Sequence, residues 1–113
     1  KYERYYRIKI MYKLEILPIA KNDMDNIIYY ISKRLQNPTA AKKIAQEFIN
    51  QANSITQFPY QFSVYQPIGP LKYEYRNIKV KNFLIFYTIN EKTKIITIVR
   101  VLYQKMDISK ILE

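Results

Sequence analysis

The chain has 113 residues, of which 49% are hydrophobic and 15% aromatic, and a formal net charge of +10. That length fits one domain with one core, and that apolar content excludes a disordered chain. With no cysteine, no histidine and a single glycine, Gly69, it has no disulfides, no thiolate chemistry, no histidine base and no glycine-rich phosphate loop.

The excess of cations points to a polyanionic partner, or simply to a soluble basic surface, and charge alone does not choose. Four cations (Lys1, Arg4, Arg7, Lys9) against Glu3 place +3 of the total ahead of Met11. Met11 reads as a natural start. Residues 1–10 then form an N-terminal extension of upstream or tag-like origin, and residues 11–113 form the domain. Tyr5 and Tyr6 among these cations suit base stacking, although a tag-like tail is the simpler account. No apolar run reaches the length of a membrane span and no secretory signal is visible, so a cytoplasmic protein is expected.

Residues 11–17 (MYKLEIL) alternate, with Tyr12, Leu14 and Ile16 on one face and Lys13 and Glu15 on the other, and Pro18 follows. This predicts a short edge strand. From Ala20 the period changes to 3.6, with Met24, Ile27, Ile28, Ile31 and Leu35 forming a core-facing helical stripe. Asn37-Pro38-Thr39 ends that helix and opens a second, capped by Asn37 or Thr39. The second helix offers Ala41, Ile44, Ala45, Phe48, Ala52 and Ile55 to the core and stops before Phe58-Pro59. So tight a connection makes an antiparallel helical hairpin, which needs a sheet to lie on.

Residues 59–71 hold three prolines and the only glycine, and read as a loop. Three strands follow, over residues 73–80, 83–89 and 94–103. The four-residue polar connection Asn90, Glu91, Lys92, Thr93 marks a hairpin between the last two. The second of the three (FLIFYTI) is apolar on both faces. The last (KIITIVRVLY) belongs near the middle of a sheet. Strict alternation sets Ile95, Thr97, Val99, Val101 and Tyr103 on one face and Ile96, Ile98, Arg100 and Leu102 on the other. Ile108, Ile111 and Leu112 close the chain as a short helix. The expected fold is therefore α+β: N-terminal strand, antiparallel helical hairpin, three-stranded antiparallel meander, short C-terminal helix.

These residues resemble the RelE/ParE superfamily of toxins from bacterial type II toxin–antitoxin pairs. The resemblance spans residues 11–112. Its most specific piece is Ile98-Val99-Arg100-Val101-Leu102-Tyr103-Gln104-Lys105-Met106-Asp107, which is similar to the closing strand of ParE-type toxins. Supporting pieces are Asp23-Met24-Asp25-Asn26-Ile27 with Tyr30, the Phe58-Pro59 helix ending, and Tyr75-Arg76 followed by Phe83-Leu84-Ile85-Phe86-Tyr87. Their joint order carries the resemblance, nearer the ParE branch, since each alone is ordinary.

The resemblance implies a basic toxin that arrests growth, contributes to plasmid stabilization and is neutralised by a cognate antitoxin in a hetero-oligomer. Operator DNA would be reached only through that complex. Two mechanisms follow from the superfamily: ParE-like inhibition of DNA gyrase, which is not enzymatic, and RelE-like cleavage of mRNA on the ribosome. A third reading is a non-toxic, antitoxin-binding co-repressor. Metal-free RNA cleavage needs a base, an acid and charge stabilisation at the phosphorane. Here histidine is absent, Leu84 stands where RelE-type toxins carry a functional arginine, and no tyrosine lies in residues 108–113. The catalytic candidates for a nuclease are Arg76, Arg100, Tyr103 and Lys105. The candidates for contacting a target or nucleic acid are Arg76, Lys79, Lys81 and Lys105, and no metal or cofactor is expected. Arg100 fits better as a partly buried ion pair with a helix carboxylate, Asp107 or Glu113. Arg76 and Lys79 fall on alternate faces, so Arg76 is the better functional candidate and Lys79 a solvated edge charge. Lys81 keeps its turn soluble on the simplest account. Tyr103 fits a core ring with its hydroxyl at the rim.

Overall fold

The computed structural model describes residues 12–113; Met11 and residues 1–10 lie outside the described residues. In chain order the elements are β1 (Lys13–Ile16), α1 (Pro18–Tyr29) continued by a π-helical turn (Tyr30–Arg34), α2 (Pro38–Gln57), β2 (Arg76–Val80), β3 (Phe83–Asn90), β4 (Ile95–Tyr103) and α3 (Ile108–Leu112). The sheet order is β1-β4-β3-β2, with β1 parallel to β4 and the other neighbours antiparallel. The α+β order, the edge position of β1 and the interior position of β4 agree with the sequence reading. β2 starts three residues later than that reading had it, at Arg76.

Local chemistry accounts for the helix boundaries. Pro18 opens α1 where its missing N–H costs nothing. At α2 the cap is Asn37 rather than Thr39: its Oδ1 accepts from Ala40 N at 3.1 Å, and Pro38 occupies the first turn. Leu35 N donates to Tyr30 O at 3.0 Å, a five-residue step that widens the last turn of α1. Gln36 then takes φ 49, and Asn37 N donates back to Ile31 O at 3.1 Å to close the helix.

The widened turn corrects the expected stripe. Met24, Ile27, Ile28 and Ile31 pack on the core, but Leu35 is rotated off it and stays 56% exposed. Four residues no longer complete a turn there, so the i, i+4 spacing from Ile31 to Leu35 does not keep one face.

Both faces of the sheet are covered. Ala20, Ile44, Phe48 and Ile55 of the helical hairpin pack on Ile78, Val80, Ile85, Tyr87, Ile96, Ile98 and Val101. On the opposite face Tyr75, Phe86 and Leu102 form a second cluster with Ile108 and Leu112 of α3, flanked by Tyr65 and Leu71 from the loop. This explains why β3 is apolar on both sides.

Strict alternation along β4 fails at one place. Tyr87 pairs with Ile98 and Phe86 with Arg100, so Val99 is an extra residue, a β-bulge. The bulge inverts the parity beyond it: Val101 joins Ile96 and Ile98 under the hairpin, while Leu102 joins Val99 in the second cluster.

Candidate functional site

At one end of the sheet, Arg76 begins β2 opposite Tyr87. Its Nη1 donates to Phe62 O at 2.6 Å, and its guanidinium lies 4.9 Å from the centre of the Tyr60 ring. The Tyr60 hydroxyl donates to the Glu91 carboxylate in the β3–β4 turn. The same carboxylate accepts from Tyr12 Oη at 2.7 Å and pairs with Lys94. Beneath them the buried Tyr87 hydroxyl donates to Pro59 O at 2.7 Å. Arg76 is thus a strut that holds the loop after α2.

The same contacts determine what this end can do chemically. The Lys94 and two phenol donors hold the Glu91 carboxyl far below the usual range, down to about 2. Donation to that carboxylate pushes Tyr60 up to about 12 and raises Tyr12 as well. Burial pushes Tyr87 up to about 12. At neutral pH Glu91 is a spent acid, and the three phenols hold their protons too tightly to act as bases.

Arg100 lies beside the bulge and grips α1. Its Nε donates to Asp23 Oδ2 at 2.8 Å and its Nη2 to Asp23 Oδ1 at 3.0 Å, a two-pronged ion pair. Asp23 Oδ2 also accepts from Val101 N at 3.0 Å, beyond the point where β1 has ended. The helix carboxylate is the partner, rather than Asp107 or Glu113. The charge of Arg100 is consumed in docking α1 onto β4.

The other end of the sheet carries an open groove of about 780 Å³. The hairpin contributes Asn26, Ile27, Tyr30, Ile31, Leu35, Ala40, Lys43 and Ile44, and the strand ends contribute Lys81, Asn82, Phe83 and Tyr103. The Tyr103 ring sits 5.9 Å from that of Phe83, tilted by 58°. Tyr103 is 39% exposed, so it forms part of the groove wall rather than a core ring. Lys81 is exposed at the β2–β3 turn with φ 55. Lys79 is exposed on β2, at the edge of the sheet, where a lysine discourages pairing with another chain. Lys105 is exposed just past β4.

The candidate residues therefore fall in separate places. Five steps of about 3.3 Å set Arg76 roughly 16 Å from Lys81 along β2. Tyr103 lies at the Lys81 end, Arg76 at the other, and Arg100 is held by Asp23 between them. The sequence reading missed Tyr12, Tyr60 and Glu91 as a cluster, and Tyr30, Leu35 and Lys43 as groove residues. No local pattern joins Tyr60 to Glu91 across 31 positions. Leu35, the last residue of an apolar stripe, was a signal for the groove, read as core. Among the described residues, no group of three or more His, Cys, Asp or Glu is placed to hold a metal, and no helix is long and apolar enough to cross a membrane.

Comparison with known proteins agrees with this fold. It is similar to the chromosomal ParDE toxin–antitoxin system from Pseudomonas aeruginosa, with a TM-score of 0.65 and 22% identity over 82% of this chain and 96% of that one. It is also similar to the archaeal RelE–RelB complex from Pyrococcus horikoshii, with a TM-score of 0.58 and 14% identity over 85% and 98% of the two chains. The RelBE2 toxin–antitoxin complex of Mycobacterium tuberculosis gives 0.56 and 13% over 83% and 99%. No curated protein matches the sequence. The family model of the ParE toxin of the type II toxin–antitoxin system parDE matches residues 14–108, which include all four strands and the helical hairpin but for Lys13. The chain belongs to the ParE toxin family of type II toxin–antitoxin systems.

Proposed function

We propose that this toxin arrests growth by ParE-like inhibition of DNA gyrase, without catalysis, and is neutralised by a cognate antitoxin. The observation that supports a non-enzymatic mechanism is the dispersal of the nuclease candidates. Arg76 is tied to the loop after α2, Arg100 to Asp23, and Tyr103 stands at the far end of the strands. Phosphoryl cleavage needs base, acid and charge stabilisation within hydrogen-bond reach of one phosphate. Lys79, Lys81 and Lys105 remain as exposed cations, suited to contacting a large target by charge. The antitoxin is the natural counter-charge for a +10 chain, and the similar proteins described as ParDE, RelE–RelB and RelBE2 are toxin–antitoxin systems or complexes.

The test is induced expression in the cytoplasm of a bacterial host without antitoxin, followed by pulse labelling of DNA and protein synthesis. DNA synthesis falling first, with an SOS response, is the expected result. Translation stopping first, with mRNAs cut within codons, would replace gyrase by the ribosome. Absence of any growth defect would leave only the co-repressor reading.

A further inference from the structure

Residues 58–75 carry the chain from the end of α2 to the start of β2 without a helix or strand among them. So long a connection in a small domain is disordered or functional, and this one is fastened along its length. Asn77 N donates to Ser63 O at 3.1 Å and Tyr65 N to Tyr75 O at 2.7 Å, which ties its two arms together. The Tyr65 ring stands edge-on to Phe86 at 5.3 Å, and Leu71 packs in the second cluster. Ser109 Oγ of α3 lies 3.0 Å from Tyr65 Oη and accepts from Ile68 N at 3.0 Å. Between these fastenings residues 66–70 (Gln-Pro-Ile-Gly-Pro) stay exposed, and Ile68 at their centre is 93% exposed. The other exposed large hydrophobic residues, among the described ones, range only from 37% to 63%.

A half-exposed apolar side chain is ordinary on a protein surface, but one held clear of it on a pinned backbone is not. Such a side chain loses little further freedom when a partner covers it, which is the character of a binding anchor. Gly69 points the same way. Its φ is not positive, the proline after it favours extended backbone open to any residue, and a Cβ there would meet nothing within 4 Å. The fold does not require glycine at 69; its bare Cα leaves one flank of Ile68 open to approach. Charge and shape then choose the occupant. Around the loop and α3, exposed Lys72, Lys105 and Lys110 are matched by exposed Glu74, Asp107 and Glu113, so this place has no net pull on an acidic antitoxin. A convex apolar tip needs a preformed concave socket, which a large folded enzyme offers. We infer that Ile68 is the anchor the toxin inserts into an apolar socket on its target protein, the gyrase of the reading above. The inference rests on that reading and adds which side of the toxin meets the enzyme.

The experiment is inhibition of DNA supercoiling by purified gyrase, titrated with the full toxin chain. Wild type is compared with Ile68→Gln, Ile68→Val, Gly69→Gln and, as a matched control at an exposed isoleucine of α2, Ile49→Gln. Ile68→Gln and Gly69→Gln are expected to raise the half-inhibitory toxin concentration by roughly tenfold or more, the first by removing the anchor and the second by blocking its flank. Ile68→Val, which gives up a single methylene, is expected to stay within about fourfold. Ile49→Gln is expected to stay within about twofold, as for an ordinary surface change. Circular dichroism melts establish folding, and Gly69→Gln is expected to melt no lower than wild type. Should Ile68→Gln fail to fold, Gly69→Gln carries the test. Wild-type inhibition that is unchanged in the folded Ile68→Gln and Gly69→Gln variants would overturn the inference alone. Self-association of the wild type on gel filtration that Ile68→Gln abolishes would assign the anchor to a second copy and overturn it as well. Growth arrest by a wild-type toxin that leaves gyrase unaffected would overturn the gyrase reading and this inference with it.

Discussion

Two carboxylates, Asp23 and Glu91, tie distant parts of the chain together at the scale of single residues. Asp23 accepts both prongs of Arg100 and the N–H of Val101, so it finishes the edge of β4 that β1 leaves bare. Asp23→Ala strands a guanidinium that is three-quarters covered and an edge amide, and is expected to cost about 2 kcal/mol in urea denaturation. Glu91 acts through its charge. Its folded carboxyl titrates near 2 against an ordinary 4.5, so its contribution to stability is complete above about pH 4.5 and is lost as pH falls toward 2. Glu91→Gln is therefore expected to melt below wild type at pH 7, and the gap should close between pH 4.5 and 2. A gap that persists at pH 2 would show that Glu91 acts by something other than charge. Arg76 illustrates a limit of reading cations from sequence. It is chemically suited to a ligand, yet its Nη1 is spent on Phe62 O.

The π turn and the bulge are the irregularities that shape the site at the scale of the elements. Gln36 closes α1 at φ 49, a conformation that glycine adopts without a Cβ clash. Gln36→Gly is expected to raise stability by about 0.5–1 kcal/mol, read as a higher urea midpoint with an unchanged slope. A decrease would mean that the Gln36 side chain holds the turn. The bulge at Val99 matters more for packing, because it places Val101 under the hairpin and Leu102 under α3. The five-residue α3 cannot stand alone. It is held by Ile108 and Leu112 and by Ser109 Oγ, which lies 3.0 Å from both Tyr65 Oη and Ile68 N.

The whole molecule is a basic domain whose cations divide into structural and exposed sets. Arg76 and Arg100 brace the fold, while Lys79, Lys81 and Lys105 face solvent. This separation predicts different phenotypes. Arg76→Ala is expected to lower stability by about 1–2 kcal/mol through the lost charge-assisted bond, and to reduce toxicity only as far as it reduces folded protein. Lys105→Ala is expected to leave the melting temperature unchanged and to weaken toxicity directly, scored by colony formation after induction. Undiminished toxicity in Lys81→Ala/Lys105→Ala would remove these lysines from the target surface.

The chain by itself determined its class and order. Period-two and period-3.6 runs, Pro18, Asn37-Pro38 and the polar turn at residues 90–93 specify strand, hairpin, meander and closing helix, because those signals are local. The resemblance of residues 98–107 and its supporting pieces pointed to the ParE branch, which the family match bears out. Only the tertiary structure decided which cations are free. Whether an arginine meets a ligand or a carbonyl depends on partners 14 or 77 positions away, and no periodicity encodes those. The groove was equally hidden, because it arises where one widened helical turn meets a strand turn that the sheet brings beside it.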